Sequence, residues 1–138
     1  MPIDYFLDTN VLIYAVSLKT EPMKGAVAEL MMTRDDFGTS GQVLAEFYVQ
    51  ATRGKRPLLT PDEAGRWMER MARMPCADVD PPLVRAGASL SRRYRISYWD
   101  GAILAAAERL GAPIVYSEDL NHGQTYGSVR VENPFLNV

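Results

Sequence analysis

The sequence contains very little of the two residue types that make cross-links and soft metal sites. Cys76 is the only cysteine among the 138 residues, so a disulfide within the chain is impossible. His122 is the only histidine, which excludes multi-histidine zinc sites and leaves one imidazole for serine or cysteine catalysis. This composition fits a reducing compartment, and we expect the cytoplasm.

Long apolar runs and a strong charge excess are also missing. No run approaches the roughly 18–20 apolar residues that cross a bilayer, and no secretory signal pattern is visible. We therefore expect no membrane association. The net charge of −2, from 15 basic and 17 acidic residues, is not typical of a nucleic-acid-binding protein.

Short apolar segments alternate with helical ones along the chain. The pattern predicts strands over residues 3–7, 37–39, 76–79, 113–116 and 128–131, and helices over residues 11–16, 23–33, 41–51, 60–74, 81–95 and 98–110. The clearest helix start is Thr60-Pro61-Asp62-Glu63, which has the residues of a capping box. This alternation predicts an α/β fold with a mostly parallel, helix-covered sheet, in one domain over residues 1–138.

Two acids follow the most apolar strands, which we expect at the centre of the sheet. Asp8 follows the first strand, and Asp119 follows the strand over residues 113–116. Ligands bind at the carboxyl ends of strands in open α/β sheets. Each acid also has a simpler explanation, Asp8 as a helix N-cap and Asp119 as a turn residue. Glu118 and Asn121 remain alternatives to Asp119.

Two further acids lie on helices. Asp100 begins an apolar stripe that continues through positions 103, 104 and 107, where a carboxylate is costly unless paired or metal-bound. The alternative is a capping box from Ser97 to Asp100. Glu46 lies at the edge of the apolar stripe of its helix, where a solvated flank position is the alternative.

Four acids meeting at one edge of the sheet would repel one another unless cations or protons neutralised them. Oxygen ligands without suitable histidine or cysteine favour Mg²⁺ or Mn²⁺, and such ions serve phosphoryl chemistry. With four acids assigned to metal, the 15 bases outnumber the remaining acids by two. The remaining charge would then repel a phosphate group less strongly.

The sequence resembles the PIN-domain nucleases and, within them, the VapC-type toxins of bacterial and archaeal toxin–antitoxin pairs. The resemblance covers essentially the whole chain. The matching segments are Phe6-Leu7-Asp8-Thr9-Asn10, Ala45-Glu46-Phe47, Tyr98-Trp99-Asp100, Ser117-Glu118-Asp119 and Val131-Glu132-Asn133-Pro134-Phe135.

This resemblance implies a Rossmann-like three-layer α/β/α sandwich around a parallel sheet of about five strands. It also implies a homodimer, and a cognate antitoxin whose tail occupies the active site. Asp8, Glu46, Asp100 and Asp119 match the family's acidic quartet, which binds Mg²⁺ or Mn²⁺ and cleaves single-stranded regions of RNA. Thr9 and Ser117 match hydroxyl positions near the metals. The fourth acid varies in the family, so Asp119 keeps its alternatives.

The resulting hypothesis is an endoribonuclease that hydrolyses an RNA phosphodiester with a metal-activated water. Asp8 and Asp100 would hold the principal metal, Glu46 would bridge or act through water, and Asp119 would serve a second metal or orient water. Two metals would lie roughly 3.5–4 Å apart. The sequence leaves the metal count and the RNA target open, and structured RNA such as tRNA or rRNA is compatible.

Basic and aromatic residues near the same edge are candidates for RNA contact. The basic candidates are Arg53, Lys55, Arg56, Arg92 and Arg93. Their alternative is a solvated position at a helix end. Tyr48, Tyr98 and Trp99 could stack on unpaired bases, although we expect them to pack in the core.

Other functions remain open. A non-catalytic binding domain would use the acids only as helix caps, and a DNA-directed nuclease would share the architecture. A phosphotransfer receiver domain is disfavoured because Asp4 lies inside the first strand and no lysine follows Lys55. We expect His122 to be a surface residue, since metal chemistry requires no imidazole.

Overall fold

The computed structural model describes residues 3–34 and 36–138, which form six helices and six strands. The helices are α1 (Thr9–Ala15), α2 (Pro22–Thr33), α3 (Gly41–Thr52), α4 (Pro61–Ala72), α5 (Pro81–Tyr94) and α6 (Tyr98–Arg109). The strands are β1 (Tyr5–Leu7), β2 (Phe37–Ser40), β3 (Cys76–Ala77), β4 (Ile114–Tyr116), β5 (Thr125–Tyr126) and β6 (Val129–Glu132).

The strands form one sheet in the order β3-β2-β1-β4-β6-β5. All neighbouring pairs are parallel except β5 with β6. The predicted central position of β1 and β4 is confirmed. Their register sets Phe6 opposite Val115 and Leu7 opposite Tyr116, so the residues that follow the two strands emerge side by side.

The helices fall into two contacting groups. α1 contacts α2 and α3, and α3 contacts α4, whereas α5 contacts α6. Right-handed crossovers place the connections from β1 to β2 to β3 on one face, and the return from β3 to β4 on the other. α6 contacts β2, β3, β4 and β6 and is buried from Gly101 to Ala107. The predicted α/β/α sandwich is therefore confirmed.

Some details of the prediction differ from the structure. The sheet has six strands where about five were expected, because β5 was missed. Two residues are too short to carry a periodic signal. The Thr60 capping box is confirmed, with the Glu63 N–H donating to Thr60 Oγ1 at 3.2 Å and the Thr60 N–H donating to Glu63 Oε1 at 2.9 Å. Among the described residues, no helix is long and apolar enough to span a membrane.

Two glycines allow α5 and α6 to pack closely. A Cβ on Gly101 would collide with the Gly87 carbonyl oxygen, and a Cβ on Gly87 would lie 2.9 Å from the Ala102 Cα. Real Cβ atoms do not approach that closely. This contact fixes the first turn of α6, which carries Asp100.

We expect Gly101→Ala to destabilise the protein by about 1–3 kcal/mol, because overpacking forces the two helices apart. Urea unfolding at neutral pH measures this difference. Gly65→Ala is the matched control, since nothing lies within 4 Å of a Cβ built at that position in α4. It should be stabilising by roughly 0.5–1 kcal/mol, because alanine suits a helix interior better than glycine. Equal stability changes in the two variants would contradict the close-packing argument.

An ion pair ties the start of α5 to the end of α6. The Asp80 carboxylate accepts from the Leu83 N–H at 2.9 Å and caps α5. The same carboxylate accepts two hydrogen bonds from the Arg109 guanidinium, at 2.8 and 3.0 Å. The Arg109 hydrogen bonds lower the pKa of Asp80, and the Leu83 N–H lowers it further.

We expect Asp80→Asn to reduce stability at pH 7, by an amount that becomes smaller as the pH falls below 3.8. A carboxyl whose pKa falls on folding stabilises the protein above its ordinary value of 3.8, and this contribution is lost as the pH falls through the folded pKa. Asparagine remains a good N-cap, so the substitution isolates the charge. Urea midpoints of both proteins between pH 3 and pH 7 test this, and a constant difference across that range would refute it.

Candidate active site

Asp8 is a buried carboxylate at the junction of β1 and α1. Its residue is only 5% exposed. The Thr9 N–H donates to Oδ1 at 2.7 Å, and the Ser117 hydroxyl, which follows β4, donates to Oδ2 at 2.7 Å. Burial raises the pKa of Asp8 to about 7, although the bonds from Ser117 and Thr9 oppose the rise. Asp8 therefore caps α1 as expected, but it also links the two central strands.

Asn10 connects this carboxylate to the loop after β4. Its side-chain amide lies 3.1 Å from Asp119 Oδ2, 3.3 Å from Ser117 Oγ and 3.4 Å from Asp8 Oδ2. The Ser117 hydroxyl also accepts the Asp119 N–H at 3.1 Å. Glu118, in contrast, accepts from Tyr14. Asp119 is thus the acid of this loop that is joined to Asp8 through side-chain hydrogen bonds.

Glu118 and Asn121, the two alternatives to Asp119, each have another hydrogen-bond partner. Lys24 Nζ lies 3.3 Å from Glu118 Oε2, so Glu118 is engaged in an ion pair. The Asn121 amide donates to Gln124 at 3.0 Å. Neither of these two side chains is bonded to Asp8.

Glu46 reaches the same region from α3. The Thr9 hydroxyl donates to Glu46 Oε2 at 3.0 Å, and the Gln42 amide donates to Oε1 at 2.8 Å. Gln42 lies one helical turn before Glu46, where side chains meet on a helix surface. The Glu46 residue is half-buried, so it is neither a core residue nor a freely solvated one.

Asp100 is half-buried in the first turn of α6. Its N–H donates to the Ser97 hydroxyl at 3.1 Å, which is one half of the capping box. The other half, in which the Asp100 carboxylate would accept from the Ser97 N–H, is absent from the described residues. Burial raises the pKa of Asp100 from its ordinary value, and the charges of Asp119 and Glu46 add to that rise.

The four acids share one electrostatic environment. The charges of Asp119 and Glu46 raise the pKa of Asp8 and of Asp100 alike. Within residues 3–34 and 36–138, none of the four forms an ion pair with lysine or arginine. This edge of the sheet therefore holds negative charge that the described chain does not compensate.

The donor set suits a hard divalent cation, because every side chain offered is a carboxylate. As the side chains stand, no three histidine, cysteine, aspartate or glutamate residues in the described ranges are close enough to share an ion. Two of the four carboxylates are instead engaged in hydrogen bonds. Thr9 and Gln42 hold Glu46, and Asn10 holds Asp119. The ligand chemistry fits, and these two carboxylates would have to turn away from their present donors.

A cleft of about 300 Å³ opens over three of the acids, Asp8, Glu46 and Asp119. Tyr14 and Glu118 contribute to its wall. Asp100 is not among its lining residues. The cleft is large enough for a phosphate group and its ligands, and it is bordered by the hydroxyl of Thr9.

Asn10 and Gln42, which contact Asp119 and Glu46, were not predicted as site residues. Gln42 could have been predicted, because it precedes Glu46 by four residues on one helix. The contacts of Asn10 could not, because its partners lie more than a hundred residues away in sequence.

Most of the remaining predicted residues lie at the surface. The exposed basic candidates are Arg53, Lys55, Arg56, Arg92 and Arg93. His122 is exposed, and its Nδ1 accepts the Asn133 N–H at 2.9 Å, so it supports a turn. The expectation of core packing is wrong for Trp99 and Tyr48, which are 63% and 36% exposed. Tyr98 is half-buried.

The PIN domain family matches residues 5–127, and the chain belongs to this family. The family resemblance seen in the sequence is therefore confirmed. No curated protein matches the sequence.

Several solved structures share the fold. DNA-bound VapBC from Salmonella typhimurium matches with a TM-score of 0.64 and 20% identity, over 96% of this chain and 98% of that one. A toxin–antitoxin complex from Klebsiella pneumoniae matches with a TM-score of 0.69 and 16% identity, over 96% and 98%. VapC20 from Mycobacterium tuberculosis, described as a Sarcin-Ricin loop cleaving toxin, matches with a TM-score of 0.65 and 15% identity, over 84% and 90%. At these identities the likeness is one of fold.

We expect Asp8→Asn to stabilise the metal-free protein by roughly 1–3 kcal/mol, because burying an unpaired charge is costly. A carboxyl whose pKa rises on folding destabilises the protein above its ordinary value of 3.8, so the gain should be present at pH 7 and absent near pH 3. Thermal unfolding in chelator measures it. Asp78→Asn, at an exposed position, is the control and should change stability little. A less stable Asp8→Asn protein would show that the bonds from Thr9 and Ser117 outweigh burial.

Proposed function

We propose that this protein is an endoribonuclease dependent on Mg²⁺ or Mn²⁺, with Asp8, Glu46, Asp100 and Asp119 as its site. One observation carries the proposal. Asp8 is a buried carboxylate at the carboxyl ends of the two central strands, and the charges of Glu46 and Asp119 act on it without a basic partner in the described chain. A bound divalent cation would remove both the repulsion and the cost of burial.

Each acid has a distinct task in this proposal. Asp8 and Asp100 would hold the principal cation, Glu46 would bridge to it directly or through water, and Asp119 would hold a second cation or orient the attacking water. Thr9 and Ser117 would keep Glu46 and Asp8 in place through their hydroxyls. The cation, when bound, activates water and stabilises the charge that develops on the phosphate.

The wider biological proposal rests on the fold. One structural relative is described as a toxin that cleaves the Sarcin-Ricin loop, and others are toxin–antitoxin complexes. We infer that this chain is the toxin of such a pair, with RNA as substrate, a cognate antitoxin as partner and a homodimer as its assembly. The cytoplasm, where RNA and an antitoxin would be met, is the proposed location.

A non-catalytic binding domain of the same fold is the second candidate. The observation that favours it is the spacing of the acids, since no three acids in the described ranges are close enough for an ion. Asp8 and the Ser97 hydroxyl also act as helix caps without any metal. A DNA-directed nuclease is a further alternative, because no residue identified here would distinguish a 2′-hydroxyl.

We expect purified wild-type protein to cut a mixed RNA substrate with Mg²⁺ or Mn²⁺ and to stop in chelator. Asp8→Asn and Asp100→Asn should each lose at least about a hundred-fold in rate, because each removes a charged group from the cation site. The substrate panel should include tRNA, ribosomal RNA and single-stranded DNA. Gel separation of the end-labelled products over time gives the rates.

Asp62→Asn is the matched control, since it changes an exposed aspartate on α4 outside the site. It should cut at the wild-type rate. If no substrate is cut under any condition, and Asp100→Asn changes only stability, the binding-domain alternative is supported. Equal cutting of RNA and DNA would support the DNA-directed alternative.

A further inference from the structure

A second and larger cavity, of about 620 Å³, adjoins the acidic cleft. Its apolar lining comes from Ala45 and Val49 on α3, Val79 after β3, and Trp99 at the start of α6. We call this cavity, together with Arg53 at its margin, the apolar groove. Glu46 and Gln50 line both the groove and the cleft, so the two cavities are neighbours.

Three large apolar side chains of the groove are mostly exposed to solvent. Trp99 is 63% exposed, Val49 58% and Val79 55%. Large apolar side chains that cluster at the surface indicate a binding site more often than chance exposure. The Trp99 ring packs edge-on against Tyr98 with centroids 5.1 Å apart. The rest of the indole is exposed and offers a surface on which a base can stack.

Polar side chains border this apolar surface. The Glu46 carboxylate lies on the side of the cleft, and Gln50 offers an amide along the groove. The Gln42 amide nitrogen already donates to Glu46 at 2.8 Å and to the Trp99 carbonyl oxygen at 3.3 Å. Arg53 lies two helical turns beyond Glu46, a rise of about 10.5 Å. A base that stacks in the groove would therefore have the cleft on one side and a guanidinium for phosphate on the other.

We propose that the apolar groove holds an unpaired nucleobase next to the cleavage site, stacked on Trp99, with Arg53 on a neighbouring phosphate. This inference rests on the proposed function and names the part of the RNA that the protein recognises. The groove volume lies in the range of small-molecule sites. Arg53, with no acid bonded to it in the described chain, complements the negative charge of a phosphate.

Binding of RNA octamers in chelator tests this proposal without any cleavage. In a Trp67→Phe background Trp99 is the remaining tryptophan, and an adenosine octamer should quench its fluorescence. An octamer of abasic ribose phosphates should not. Trp99→Ala should weaken binding of a labelled adenosine octamer by about 5- to 150-fold, the range measured for one stacked base. Trp99→Phe should recover most of that affinity.

Two variants separate the parts of the site. Leu30→Ala removes an apolar side chain on α2 that is 69% exposed and lies outside the groove lining, and it should bind the octamer as wild type does. Arg53→Gln should reduce the slope of log K against log salt by about one. Unchanged octamer affinity in Trp99→Ala would overturn the proposal.

The oligomeric state decides between RNA and a protein occupant. Sedimentation of wild type and Trp99→Ala should give the same mass. If Trp99→Ala changes the mass, the groove is an interface between copies of the chain, and the proposal is overturned even if octamer binding also falls. If the protein cuts no RNA but Trp99→Ala still weakens octamer binding, the proposed nuclease function is contradicted and the groove proposal is not. If the protein cuts RNA with metal but Trp99→Ala binds the octamer as tightly as wild type, the groove proposal is contradicted and the nuclease function is not.

Discussion

The structure depends on one unfavourable arrangement, a carboxylate buried at the carboxyl ends of two central strands. Parallel pairing of β1 with β4 brings Asp8 beside Ser117, and their hydrogen bond joins the two strand ends. Burial raises the pKa of Asp8 to about 7, so an ionised Asp8 lowers the stability of the folded protein. A cost of this kind at a strand end is typical of a functional site, because structure alone would be served by a neutral cap.

The two residues that follow Asp8 hold two of the other acids. Thr9 donates to Glu46 from one side, and Asn10 donates to Asp119 from the other. The close packing of α5 on α6 through Gly87 and Gly101 sets the position of Asp100. The sheet and the helices on both of its faces thus each contribute a carboxylate to the edge where the parallel strands end. The same edge continues through Glu46 into the apolar groove, so charge and a stacking surface adjoin.

Much of this arrangement could be predicted from local pattern. The apolar strands, the capping box at Thr60 and the central position of β1 and β4 follow from periodicity and composition. The two-residue strand β5 carried no such signal. The exposure of Trp99 was not predictable either, because an aromatic beside an apolar helical stripe fits a core as well as a surface. Only the packing of α6 against the sheet shows which side of that helix is covered.

The sequence by itself determined the order along the chain of the six helices and of five of the six strands, the placement of acids after strands, and the family. Each of these features depends on residues close together in the sequence, because hydrophobic periodicity, helix caps and short motifs are local patterns. The tertiary structure alone decided that Asp119, and not Glu118, is joined to Asp8, because Lys24 and Tyr14 hold Glu118 from α2 and α1. It also decided that cleft and groove share Glu46. These features depend on contacts between residues far apart in the chain, which no local pattern records.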